Sequence, residues 1–144
     1  FLSFIIKDKM LISNTSKKTQ RALELARRVA SNGTYGKLKH GAVLVKGGNV
    51  VNVAFNKSNF TSFGNRFRNN YTCGHATVHA EIGAILGVPR SKTAGATIYV
   101  VRINRNGQYR MSKPCPMCED VLKFVGVKKV VYTTDGNNIG EYKL

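Results

Sequence analysis

The chain has 144 residues, enough for one compact domain with a real core and too few for two ordinary ones. Apolar residues make up 42% and charged residues 21%, which excludes a disordered chain and a fibrous repeat. The charge is lopsided: 23 Lys and Arg against 7 Asp and Glu give a formal net charge of +16, which favours phosphate-bearing partners.

The opening run Phe1 to Ile6 is apolar, but it is shorter than a signal-peptide core of about 7 to 15 residues and has no basic flank before it. It reads as a docked end, and because the chain does not begin with Met its true N-terminus is expected to be missing or processed. Residues 1–144 form a single domain, with 1–15 as an N-terminal extension, 16–134 as the core and 135–144 as a tail or short edge strand. Between Ser16 and Ala30, the residues Ala22, Leu23, Leu25, Ala26, Val29 and Ala30 make one helical face apolar, and Asn32-Gly33 ends the helix. His40 to Lys46 and Asn49 to Phe55 flank Gly47-Gly48 and read as a hairpin. From Asn56 to Gly74 the sequence is a long polar loop in which Phe60, Phe63, Phe67 and Tyr71 alternate with Lys57, Arg66 and Arg68. Thr77 to Leu86 suits a helix that stops before Gly87-Val88-Pro89, and Ala96 to Ile103 suits a strand. A polar connection, Asn104 to Lys113, leads to a helix from Pro116 to Val125 and a strand from Lys128 to Thr133. No apolar run approaches the roughly 18 to 20 residues of a bilayer span, so no membrane partner is expected. The three cysteines, Cys73, Cys115 and Cys118, are too few and too uneven for a secreted disulfide framework. That points to a reducing, intracellular compartment, cytoplasmic or nuclear.

Two segments carry chemistry: His79-Ala80-Glu81, opening one helix, and Pro114-Cys115-Pro116-Met117-Cys118, opening another after a strand. A catalytic zinc takes three protein ligands and keeps a fourth position open, and one imidazole with two thiolates meets that count. His79, Cys115 and Cys118 are therefore the expected ligands of a Zn2+ cofactor. On a first helical turn the two sulfurs lie on one side, near unpaired amides that favour thiolate. Glu81 is not needed as a ligand, so it can accept a proton from water acidified by zinc and deliver it to a ring nitrogen in a hydrolytic deamination. Residues two apart on a regular helix do not share a face, so the site must sit at a helix tip.

The pair His-x-Glu and Pro-Cys-x-x-Cys is the signature of zinc-dependent nucleobase deaminases. Over about Thr19 to Thr134 the chain resembles the cytidine and deoxycytidylate deaminase superfamily, in motifs and in the element order α, β, β, α, β, α, β. The resemblance implies a three-layer α/β fold with a mixed sheet and helices on both faces. By position in the pattern it also implies substrate contacts from Asn56 and the backbone around Ala80, with Ser112 and Tyr132 near the pocket by analogy. Polynucleotide and nucleotide deaminases of the superfamily continue after the fourth strand with a helix and a parallel fifth strand. Only Asp135 to Leu144 follows here, too short for a parallel crossover, so a fifth strand is expected to be antiparallel or absent, closer to the free-nucleoside branch.

The surplus of cations points instead to cytosine in single-stranded DNA or RNA as the substrate, because a polynucleotide offers one charge per residue. Lys57, Phe60, Arg66, Arg68 and Tyr71 combine cations with aromatics as single-strand grooves do, and Arg102, Arg105, Arg110 and Lys113 flank the cysteine motif and extend the positive mouth. The plain alternative for that loop is a lid whose phenylalanines close over the core. Alternative substrates are free cytidine or deoxycytidylate, and adenine in nucleic acid. A different class of protein, a zinc-stabilised nucleic-acid-binding module without turnover, would use Cys73 or His75 with Cys115 and Cys118 and leave Glu81 unexplained. His40 reads as a partly buried histidine without a role, and Met117 as a core filler. A homo-oligomer is compatible with the sequence, which shows no signature of one.

Overall fold

The computed structural model describes residues 7–32, 39–60 and 77–144. In chain order the elements are β1 (Lys7–Leu11), a 3-10 turn (Ile12–Asn14), α1 (Lys17–Ala30), β2 (Lys39–Lys46), β3 (Asn49–Phe55), β4 (Lys57–Phe60) and β5 (Thr77–Val78). They continue with α2 (Ala80–Ile85), α3 (Arg90–Thr93), β6 (Thr97–Ile103), β7 (Tyr109–Arg110), α4 (Pro116–Phe124), β8 (Lys129–Thr133) and β9 (Asn138–Lys143). The main sheet runs β1-β9-β8-β6-β2-β3, with β7 paired to the end of β6, and β4 and β5 form a separate two-stranded sheet. Only β6 and β8 run parallel among its pairs, the crossover between them containing α4, so the sheet is mixed.

Alternation along the strands divides the core into two layers. Val43, Tyr99, Val101, Val131 and Ile139 meet Ala22, Leu23, Ala26 and Ala30 of α1. Ala42, Leu44, Ile98, Val100 and Val130 meet Ile82 and Ile85 of α2 and Met117, Val121 and Leu122 of α4 on the other face. Met117 is thus core, as its sequence position suggested. Ser16 caps α1 by accepting from the Thr19 N–H at 3.1 Å. At Gly41 the helix and β2 touch: a Cβ built there would lie 2.1 Å from the Ala26 carbonyl oxygen.

Several features depart from the sequence expectations, among them Thr77–Val78, expected to begin a helix and found as β5 paired with β4. Lys7–Leu11, placed in an extension outside the core, pairs with β9. That makes β9 an interior strand rather than an edge, and it runs antiparallel to β8. The start of the expected loop after Asn56 is β4, and short α3 and β7 went unforeseen. All of these segments are short and owe their form to a neighbour, which local propensity does not report.

Candidate active site

Both signature segments begin a helix with an extended residue. His79 (φ −71°, ψ 152°) precedes α2, and Cys115 (φ −70°, ψ 164°) precedes α4 with Pro116 in the first helical position. His79 is therefore outside the helix, and the facing rule for residues two apart does not restrict it against Glu81 in the first turn. Cys118 follows in the first turn of α4 and is fully buried.

The potential ligand atoms of His79, Cys115 and Cys118 all lie within 4.8 Å of one another, and His79 Nδ1 is 3.1 Å from Cys118 Sγ. Tetrahedral zinc with bonds of about 2.0 to 2.3 Å sets neighbouring ligand atoms roughly 3.5 to 3.8 Å apart, so this nitrogen and two sulfurs fit the ion in both spacing and softness. Hydrogen bonding to Cys115 outweighs burial and pushes the His79 imidazole above its ordinary pKa, so protons compete with metal for this ligand.

A cavity of about 260 Å³ opens beside these residues, and Glu81 lines it together with His79, Ala80 and Cys115. Glu81 is only 5% exposed, and burial pushes its carboxyl up from the ordinary value. Asn56, directly after β3, also lines the cavity, and its Oδ1 accepts from the His40 N–H at 3.0 Å while its own N–H donates to the His40 carbonyl. Ser112 lines the cavity, yet its hydroxyl is engaged internally: it donates to the Val100 carbonyl at 2.8 Å and accepts from the Thr133 N–H at 2.7 Å. Tyr132 is buried in the α2/α4 layer, edge-on to Tyr142, and is not among the described lining residues. Lys113 reaches the cavity, whereas Arg110 sits exposed on β7. Lys57 and Phe60 belong to β4, and Arg66, Arg68, Tyr71, Cys73 and His75 lie outside the described residues.

Two lining residues carried no site assignment from the sequence, His40 and Met111, and Arg102, expected at the positive mouth, lines the cavity itself. Strand alternation held the signal for His40 and Arg102. His40 shares the parity of Ala42 and Leu44, and Arg102 that of Ile98 and Val100, so each continues the α2/α4 face past the end of the apolar core. Burial, reinforced by the positive charge of Arg102, lowers the His40 pKa to about 4, so His40 is a neutral imidazole at neutral pH.

A mixed sheet between helical layers, with one imidazole and two thiols at two helix starts and a buried carboxylate beside them, defines a zinc hydrolase centre with an open side. Residues 16–134 match the model of the cytidine and deoxycytidylate deaminase zinc-binding region, and the chain belongs to that family of hydrolytic deaminases. The dCMP deaminase of the cyanophage S-TIM5 is similar in fold, at 20% identity and a TM-score of 0.58, over 83% of this chain and 85% of that one. RibD of Acinetobacter baumannii is similar at 22% identity and a TM-score of 0.53, over 82% of this chain, which spans 28% of RibD. The cytidine deaminase of Mycobacterium tuberculosis has 20% identity and a TM-score of 0.50, over 79% of this chain and 82% of that one. No curated protein sequence matches the chain. Among the described residues no helix is long and apolar enough to cross a membrane.

Proposed function

We propose that this deaminase converts cytosine to uracil and acts on cytosine carried in single-stranded nucleic acid. The observation that carries the reaction is Glu81, a buried carboxyl that is spare to the ligand set and opens on the same cavity as His79 and Cys115. Zinc held by His79, Cys115 and Cys118 supplies the Lewis acidity that makes water nucleophilic near neutral pH. Glu81 takes the proton released as water adds to C4 and passes it to N3 of the ring. It then takes the proton of the new C4 hydroxyl and delivers it to the exocyclic nitrogen as the C4–N4 bond breaks and the C4 carbonyl forms, so cytosine and water become uracil and ammonia. Burial of Glu81 suits both tasks, because a raised pKa brings the carboxyl closer to the pH at which it must accept and donate. Asn56, fixed through its Oδ1 to the β2 backbone, stands where it can orient the base or sugar.

Support for a polynucleotide comes from a groove of about 490 Å³ lined by Arg27, Arg28, Lys39 and Arg105, with Glu24 as its acidic residue. Lys39 directly precedes His40, and Arg105 follows Arg102 by three, so groove and cavity lie at the same end of the sheet on opposite faces. A strand rounding that end would meet cations on both sides. The antiparallel β9 favours a second reading, free cytidine, through its likeness to the free-nucleoside branch.

Uracil formation from cytidine, deoxycytidylate and a cytosine-bearing single-stranded oligonucleotide, measured side by side on zinc-loaded protein, separates these readings. Turnover of the oligonucleotide alone is expected. Turnover of monomers alone would replace the substrate, and release of ammonia only from a parallel oligonucleotide that carries adenine in place of cytosine would replace the base. Glu81→Gln should cut kcat by at least about 10²-fold while zinc content and melting behaviour stay near wild type. Retained turnover in that variant would overturn the mechanism.

A further inference from the structure

Arg102 stands one residue before the end of β6, on the face that enters the reaction cavity. A guanidinium carries five N–H donors. Among the described residues its side chain has one acceptor, the Met111 carbonyl at 3.4 Å, and its Nε is buried with none. Neither of the described ion pairs involves it. Buried donors without an acceptor are uncommon in folded proteins, so this one calls for an explanation.

The position is built rather than incidental. β7 pairs with the end of β6, setting Arg102 opposite Arg110 and Ile103 opposite Tyr109. The turn between them is closed by Asn104, whose Oδ1 accepts from the N–H groups of Asn106 at 3.0 Å and Gln108 at 2.9 Å. Arg27 of α1 then anchors the turn by donating to the Gly107 carbonyl at 2.8 Å. The hairpin therefore holds the strand end from which Arg102 reaches the cavity. Lys113 lines the same cavity, its Nζ 5.2 Å from the centre of the Tyr142 ring. Glu81 is the one carboxylate among the described lining residues, and it serves the proton transfers.

Two cations thus face the cavity with no fixed counter-anion left for them. Cytosine and its sugar are uncharged, so the complementary group on a substrate is a phosphate, for which a guanidinium fork offers paired donors. We infer that Arg102 and Lys113 form an anion subsite within the reaction cavity that holds a phosphate attached to the sugar of the reacting cytosine. This rests on the deaminase reading above and deepens it. The phosphate is the monoester of a free nucleotide or a diester of a strand, and the two sources are separated by the test.

The test is calorimetric titration of zinc-loaded Glu81→Gln protein, which removes the proton shuttle, with cytidine, CMP and a single-stranded trinucleotide carrying cytosine at its centre. CMP or the trinucleotide should bind roughly tenfold to a hundredfold more tightly than cytidine. Adding Arg102→Gln should collapse that preference, and adding Lys113→Gln should reduce it by less. Arg102→Lys, which keeps the charge without the fork, should retain part of it, and it carries the test if the Gln variant does not fold. A preference for CMP alone identifies the monoester, and a preference for the trinucleotide alone the diester. Equal affinity for all three ligands, or an equal loss for all three in Arg102→Gln, would overturn the subsite. Should the wild-type enzyme turn over none of these ligands while the Arg102-dependent preference persists, the cytosine reading falls and the subsite stands.

Discussion

Burial acts on His40 and Glu81 in opposite senses, lowering the pKa of the imidazole and raising that of the carboxyl, because each charged form is disfavoured when water leaves. For His40 this has a consequence for stability. Its pKa is about 4 in the folded protein against 6.5 unfolded, so between those values the unfolded chain binds the extra proton. The stabilisation is complete above pH 6.5 and is lost as the pH falls toward 4. Moving from pH 7 to pH 5 should cost about 2 kcal/mol through this group. Denaturant unfolding at both pH values checks it: His40→Gln should lose that much less than wild type, and equal losses would show that His40 does not titrate in this way. Ser112 supplies a second prediction, because its hydroxyl joins β6 and β8 through Val100 and Thr133 rather than pointing a spare donor at a ligand. Ser112→Ala strands the buried Thr133 N–H and should destabilise the zinc-loaded protein by about 1 to 3 kcal/mol. A wild-type melting temperature combined with a raised KM would instead assign the hydroxyl to substrate.

The seating of α1 on the sheet depends on Gly41. Its missing side chain lets the Ala26 carbonyl and the Ala30 amide, 2.1 and 2.8 Å from where a Cβ would be, approach β2. Gly41→Ala must push the helix off Val43 and Val101, and a loss of about 3 kcal/mol or more in thermal or denaturant unfolding is expected. A loss below about 1 kcal/mol would mean that α1 is not held this closely. The sequence revealed α1, the β2–β3 hairpin, β6, α4 and β8 because each carries enough apolar residues at one period to show its buried face. It did not reveal β1, β4 or β7, which are ordered by pairing with another strand, or α3, a single turn tied to distant residues through Thr93 to the Val125 carbonyl and Lys46 to the Ser91 carbonyl. The metal ligands were legible for the same reason as α4: Pro-Cys-x-x-Cys is contiguous, and its chemistry is set by residue type. The place of His40 beside Arg102 was not, because the two are far apart in the chain and become neighbours only through the β2–β6 register, in which they are directly paired. Tyr132 shows the converse, since analogy by position placed it near the pocket and the packing of Tyr142 against it places it in the core.

At the scale of the molecule, +16 is a surplus that one cavity does not use, and part of it lies on both faces of one sheet end. Not all of the groove's cations are equally available to a ligand. Arg27 is committed to the Gly107 carbonyl and the Tyr109 ring, and Lys39 donates to the Ser31 carbonyl, whereas Arg28 and Arg105 are exposed. If a single strand lies in the groove, each phosphate it neutralises contributes about −0.7 to the slope of log affinity against log salt. Arg28→Gln with Arg105→Gln removes two such contacts and should make the slope shallower by about 1.4. The measurement is oligonucleotide binding by fluorescence anisotropy from low to moderate salt, on wild type and the double variant, with zinc content and melting behaviour as the reference for an intact fold. Parallel slopes in the two proteins would take the α1 face out of the substrate path, and a flat wild-type response would leave the net charge without a role in substrate binding.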